Sequence, residues 1–454
     1  MLLEQGLPLS SIECIEEEGR LHDEQRVCWF RNVFYRQGRL HYVSPDTNVT
    51  LPRIAVRFGV NDNSTGFLNP VVIRPEDVEL NETEVIMFEE DTEVYMWSTI
   101  PESNWGHLVG EYQPTLHSTL CKYMGHCRYR DRHKVQLLEI FPNAPKWADW
   151  LVELDKCFSS KPKITIHSPD YHGKVVYIKK GLAGVGAECR ARLFCSGEAE
   201  TLGGHKGHKP MQPAMMASHR QRMAQCLGFD AGRTARVEPL RMVVVDRHYR
   251  SARHILNIAE IMDVLHQRYD DLADISLHYM EGLGPREQIQ LWSKADIVIH
   301  MHGAALGSWI FLPKNAVVVH IVPQPGGIIH DNSFAEQLVA DLNGVTNVTY
   351  LPVNNTDMAY AHFKKEVISQ HEEWKALSPE EKVKILEEGT CSHLPEGPRQ
   401  YHCLMWWFLK NINLVLKPEL LVPQVDAAIA DLYSKLDRRL PEGFPNTLDL
   451  APTN

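Results

Sequence analysis

The segment from Lys294 to Pro313, continued by Ala316 to His320, constrains the fold more than any other part of the chain. Asp296 to Met301 is β-branched and apolar with no helical period, the pattern of a strand covered on both faces. Gly303 follows at a strand-to-helix turn, where backbone must come close to something. The small Ala304 and Ala305 leave the first N–H groups of the next helix accessible, and Leu306 continues it. A helix start beside a glycine is a natural seat for a phosphate. The local pattern fits an ordinary α/β corner and a nucleotide site equally well.

A chain of 454 residues exceeds what one hydrophobic core usually serves. The net charge of −11 argues against sequence-independent nucleic-acid binding, which needs Lys and Arg on phosphates. It leaves room for a small anionic ligand in a local basic pocket. No apolar stretch is long enough to span a bilayer. Met1 to Gly19 lack a basic flank and an apolar run, so no signal peptide is visible, which taken literally means cytosol. Sequons at Asn48, Asn63, Asn81, Asn347 and Asn354 point the other way, towards the lumen of the secretory pathway. So do ten cysteines, among them the close pairs Cys121 with Cys127, Cys189 with Cys195 and Cys391 with Cys403. The expectation is a lumenal protein of the Golgi or endoplasmic reticulum, associated with a membrane only through an anchor absent from this sequence.

The second half alternates strands and helices: strands at Arg241–Asp246, Asp274–Met280, Asp296–Met301, Ala316–Val322 and Val348–Val353. Between them lie helices capped by Ser251, begun by Gly284-Pro285, and running from Ser333 to Leu342. Strands joined by helices of that length imply crossovers and a parallel sheet. The first half is less regular but of the same class, with strands expected at 53–58, 84–88, 93–97, 134–141, 163–167 and 174–179. Helices are expected at Trp105–Tyr123 and Trp147–Phe158. A boundary near residues 228 to 240 divides an extension (1–27) and a first Rossmann-like domain (28–232) from a second (233–400). C-terminal helices (401–440) and a disordered tail (441–454) complete the chain.

Two such domains create a cleft at the carboxyl ends of their sheets. His302 and Gly303 follow a strand directly and should face it, with Arg247 at the end of the neighbouring strand. Arg250 and Arg253 lie just beyond, and a cation there would clamp a diphosphate from the other side. The plainer alternative is that these arginines pair with surface carboxylates. His300 and His302 share a strand face, and His320 lies on the next strand, which is also a metal-site spacing and would make the protein a metal-dependent hydrolase. Against metal, no acidic base lies close in sequence, and an interior histidine is more often a hydrogen-bonded core residue. His107 and Glu111 stand one helical turn apart, as a general base with its orienting partner or as a surface pair.

The run Ala295-Asp-Ile-Val-Ile-His-Met-His-Gly-Ala-Ala-Leu306, with Phe311-Leu-Pro313, resembles glycosyltransferase family 61. That family includes plant xylosyl- and arabinosyltransferases and O-GlcNAc transferases acting on EGF domains and dystroglycan. Val244-Val-Asp-Arg247, Ser251-Ala-Arg-His-Ile-Leu-Asn257, Asn104-Trp-Gly-His107, Cys28-Trp-Phe-Arg-Asn32 and Tyr177-Ile-Lys-Lys-Gly-Leu182 support the match. The resemblance implies a GT-B architecture of two Rossmann-like domains. It also implies inverting transfer from a UDP-sugar to a glycan or glycoprotein hydroxyl, without cofactor or essential metal. His302, Gly303, Ala304, Ala305, Leu306, Arg253, Asn257 and His320 would then meet the donor, and Arg247 would offset charge on the departing diphosphate. Glu111 with His107 would deprotonate the acceptor. Two positions depart from the family: Glu111 replaces an aspartate, and His320 replaces an acidic residue that holds the ribose hydroxyls.

Overall fold

The computed structural model describes residues 8–15, 26–57, 66–78, 85–97, 105–140, 149–165, 168, 171, 173–185, 188–189, 209–248, 253–323, 330–355, 361–363, 375–388 and 412–444. The chain divides into two compact units, Met1–Gly228 and Phe229–Asn454. No helix among the described residues is long and apolar enough to cross a membrane.

In the first unit the strands are β1 (Ser11–Ile15), β2 (Val27–Arg36), β3 (Arg39–Val43), β4 (Ile54–Arg57), β5 (Gly66–Leu68) and β6 (Val71–Ile73). They continue as β7 (Val85–Met87), β8 (Glu93–Trp97), β9 (Val135–Glu139), β10 (Val175–Ala183), β11 (Glu188–Cys189) and β12 (Lys209–Pro210). The main sheet has the order β6-β3-β2-β10-β8-β9, with β1 added to β2 and β7 to β10. Here the expectation of a parallel sheet needs correction. β10, β8 and β9 are parallel, but β2 runs antiparallel to β1, β3 and β10. The cause is local. Gln37 and Gly38 both take positive φ (49° and 81°), forming a two-residue turn whose twist joins β2 to β3 as a hairpin. The 163–167 strand shrinks to one bridge, Ile164 beside Leu138.

The Trp105–Tyr123 helix is present but interrupted. An α-helical turn, Trp105–His107, leads into a π-helical turn, Leu108–Tyr112, and then α1 (Gln113–Met124). Helices α2 (Asp149–Asp155) and α3 (Pro213–Leu227) follow. Disulfides join Cys14 to Cys28, Cys121 to Cys127 and Cys157 to Cys226. The Cys121–Cys127 pair is the one close spacing singled out in sequence that falls wholly among the described residues; Cys195, Cys391 and Cys403 lie outside them.

The second unit holds β13 (Leu240–Asp246), α4 (Ile258–Tyr269), β14 (Ala273–Tyr279), α5 (Pro285–Trp292), β15 (Ile297–Met301), β16 (Val317–Pro323), α6 (His330–Leu342), β17 (Thr349–Asn355), β18 (Ala361–Phe363), α7 (Pro379–Glu388), β19 (Ile412–Leu414) and α8 (Pro418–Lys435). Its sheet, β14-β13-β15-β16-β17, is parallel throughout, as the alternation predicts. β15 is buried along its whole length, which is why its sequence shows no polar alternation. α4 begins at Ile258, not at Ser251, and Asn257 occupies its cap position. The expected helix at 401–410 lies outside the described residues, while the later one is α8, packed on β16 and β17.

Candidate functional site

β13 is the first strand of its sheet in sequence, and the chain then builds β14 on one side and β15 on the other. The carboxyl ends of β13 and β15 therefore flank the point where strand order reverses, the place where open parallel sheets bind ligands. Asp246 ends β13 and Arg247 follows it, while His302 and Gly303 follow β15.

Gly303 has φ 154° and ψ −156°, a conformation essentially confined to glycine. It is also required by crowding. A Cβ at this position would lie 2.7 Å from Arg247 Nη2 and 2.8 Å from Arg253 Nη1. Two guanidinium groups from different ends of one loop thus converge on a single Cα. Arg253 reaches it from a left-handed backbone conformation, φ 65°, and donates from Nη1 to the His302 carbonyl at 3.3 Å. Burial loosens the hold of Arg247 on its proton, opposed by the carboxylates of Glu281 and Asp246. Two planar donors this close suit one multiply charged, oxygen-rich anion.

The helix after Gly303, Ala304–Phe311, is 3-10 rather than α, and its first bond runs from the Leu306 N–H to the Gly303 carbonyl at 3.0 Å. The N–H groups of Ala304 and Ala305, in the first turn, have no acceptor inside the helix. Leu306 does not join them. Its amide is spent on Gly303 and its side chain is buried, so its assignment to the donor is corrected to a core role.

Beneath the turn lies a layer of histidine and aromatic rings. Trp309 Nε1 donates to His300 Nε2 at 2.9 Å, while His300 Nδ1 lies 2.9 Å from the Met301 carbonyl. Trp309 can only donate, so Nε2 is the bare nitrogen and Nδ1 carries the proton. His300 is thereby neutral, and burial pushes its pKa down to about 4. With both nitrogens engaged it cannot ligate a metal, and among the described residues no cluster of three metal-ligating side chains is found.

His320 pairs in register with His300 and is fully buried, its ring 5.1 Å from that of His300 and 5.2 Å from that of His302. Its Nδ1 lies 3.3 Å from the Tyr350 hydroxyl. The expectation that it holds ribose hydroxyls is corrected: it is a floor under His302, one residue short of the strand pair that ends the ladder. Burial, with the neighbouring charges of Arg253 and Arg247, holds His302 well below the usual histidine range, so it too is neutral near pH 7.

The remaining expected residues separate. Asn257 is turned to the C-terminal segment. Its Nδ2 donates to the Leu416 carbonyl and its Oδ1 accepts the Leu416 N–H, each at 2.9 Å. That replaces the donor role assigned to it. Arg250 lies outside the described residues. In the first unit, His107 closes an α-helical turn and Glu111 lies in the π turn. A π turn closes at i+5, so the i, i+4 geometry of an uninterrupted α-helix is not kept there, and such turns often mark functional sites. Sequence reasoning passed over Asp246. Its signal is an acidic residue ending the apolar run Met242–Val245, which has to find partners to be buried.

Residues 105–319 match the family model described as glycosyltransferase 61. The matched segment is similar to glycosyltransferase family 61. The matched segment contains Arg247, Arg253 and Gly303, and it ends at Val319 on β16. No curated protein matches the chain. Among solved structures it is similar to E. coli heptosyltransferase WaaC with ADP at 11% identity, covering 56% of this chain and 99% of that one, with a TM-score of 0.27.

Proposed function

We propose that this chain is a family 61 glycosyltransferase, an inverting enzyme of GT-B architecture that uses a UDP-sugar, of the xylose, arabinose or GlcNAc class. The acceptor is a glycan or glycoprotein hydroxyl in the secretory lumen. The observation that carries the reading is the convergence of Arg247 and Arg253 on Gly303 at the strand-order switch point. As the anomeric C–O bond to the diphosphate breaks, negative charge grows on the leaving group. Fixed guanidinium and backbone N–H dipoles at that position stabilise the charge without reorganising. The same arrangement supports metal-independent transfer, because the arginines supply what a divalent cation supplies elsewhere. A carboxylate of the first unit, Glu111 oriented by His107, takes the acceptor proton while the hydroxyl oxygen attacks the anomeric carbon from the opposite face.

A second reading, a nucleotide- or glycan-binding relative without turnover, is favoured by His320. The family's acidic residue is replaced there by a neutral buried ring. Incubation with a panel of UDP-sugars, with and without EDTA, separates the two. Transfer or hydrolysis that survives EDTA, with inverted product anomer, is the expected result. Stabilisation by UDP without turnover would establish the second reading. Turnover abolished by EDTA would contradict the metal-independent mechanism, and full activity in Glu111→Gln would remove the base assignment.

A further inference from the structure

We infer that Asp246 and His254 form a positioning pair that sets the spacing of the two arginines over Gly303, and with it the affinity of the site for a diphosphate. The inference rests on the donor-site reading above. Asp246 is the last residue of β13 and only 1% exposed. Its Oδ1 accepts the Ile255 N–H at 3.1 Å, its Oδ2 lies 2.7 Å from His254 Nδ1, and the carboxylate also takes the Arg247 N–H. One side chain thus ties both ends of the loop between β13 and α4. The residue after Asp246 is one cation of the site, and the residue before His254 is the other.

The rest of His254 is braced independently. Its N–H donates to Asn413 Oδ1 and its carbonyl accepts the Leu414 N–H, both at 3.0 Å. The C-terminal segment therefore fixes the backbone of His254, and Asp246 fixes its ring. Between these anchors Arg253 is held at φ 65°, a left-handed conformation that a residue other than glycine keeps only where its surroundings over-determine it. The carboxylate also favours the charged form of the Arg247 guanidinium. A valine would end β13 with no desolvation cost, so the buried acid is explained by the geometry it imposes rather than by stability.

The test is isothermal titration of the whole chain with UDP, pyrophosphate and uridine. Asp246→Asn retains an acceptor for Ile255 but sets an N–H against His254 and removes the carboxylate charge that acts on Arg247. UDP and pyrophosphate should then bind at least tenfold more weakly while uridine binding stays unchanged, because the pair acts only on the diphosphate end. His254→Leu should reproduce that loss. His254→Asn, whose Nδ2 can donate from the place of Nδ1, should stay within threefold of the wild type. If Asp246→Asn does not fold, the two His254 variants decide the matter. The inference is overturned if His254→Leu or Asp246→Asn binds UDP within twofold of the wild type. It is equally overturned if uridine affinity falls in step, which would mark a general structural loss. A wild-type chain that binds neither UDP nor pyrophosphate would refute the donor-site reading itself, and the inference with it.

Discussion

Replacing Gly303 by alanine tests the site most directly, because two separate costs can be worked out in advance. The first is conformational. At φ 154° and ψ −156° a side chain is tolerated only with strain, about 1–3 kcal/mol for such regions. The second is steric. The new Cβ would sit 2.7 and 2.8 Å from two guanidinium nitrogens, against a comfortable separation of about 3.5 Å, so each must retreat by roughly 0.7 Å. Both are ends of flexible side chains, so stability suffers little from their movement and the anion site suffers most of it. The expected stability loss is about 1–3 kcal/mol, a fall in Tm of roughly 2–12 °C for a unit of this size. One charge-assisted hydrogen bond to a phosphate is worth about 1.5–3 kcal/mol, so UDP affinity should fall at least tenfold. Gly125→Ala is the control. Gly125 caps α1 at φ 73°, and a Cβ there meets nothing, so it should cost about 1 kcal/mol of stability and leave UDP binding unchanged. Thermal melts and titration calorimetry read both quantities. If Gly303→Ala binds UDP within twofold of the wild type, the two arginines do not form the anion seat.

Further outcomes follow from other parts of the chain. Burial holds His117 at about 3, His300 at about 4, and His302 and His320 well below the ordinary histidine value. Their folded pKa values lie below the unfolded ones, so their stabilisation is present above about pH 6.5 and is lost as pH falls towards 4. His117 and His300 alone should lower stability by roughly 2–3 kcal/mol at pH 5.5 relative to pH 7.5 in urea unfolding, and His302 and His320 act in the same direction. Asp246 and Asp296, whose carboxyls burial pushes up, oppose this at lower pH. A flat profile between pH 7.5 and 5.5 would contradict the buried neutral rings. Asp426 accepts Arg268 Nη2 at 2.7 Å and the Tyr269 hydroxyl at 2.8 Å, fastening α8 to α4. Asp426→Ala should therefore cost about 2–3 kcal/mol in denaturant unfolding, and a loss under 0.5 would show that the contact is idle. The sequon residues Asn48 and Asn347 are exposed. Expressed through a secretory pathway, the chain should carry glycans that a peptide-N-glycosidase removes, with the mass step lost in Asn48→Gln and Asn347→Gln. Unmodified asparagine at both would count against the lumenal proposal.

Much of the second unit could be read directly from sequence because its strands are buried on both faces. An uninterrupted apolar run between helical periods leaves little choice but a parallel sheet, and β15 and β16 lie where their patterns put them. Gly303 was legible for the same reason, since a glycine closing such a strand marks close backbone approach. The first unit was harder. β2 mixes Arg, Asn and aromatic residues, so neither simple alternation nor a solid apolar run announces it, and only the Gln37-Gly38 turn signals the hairpin.

What sequence alone determined was the presence of a parallel αβ sheet, the glycine turn at 302–303, and Arg247 within reach of it. What tertiary structure decided was the order of the strands, and with it which side chains meet. Pairing β13 with β15 brought Arg247 and Arg253 onto one Cα and set His320 against His300 in the core instead of on a ligand. Periodicity records only whether a residue faces water or protein. Which buried neighbour it meets depends on contacts between segments twenty to fifty-six residues apart, and a local pattern carries no trace of them.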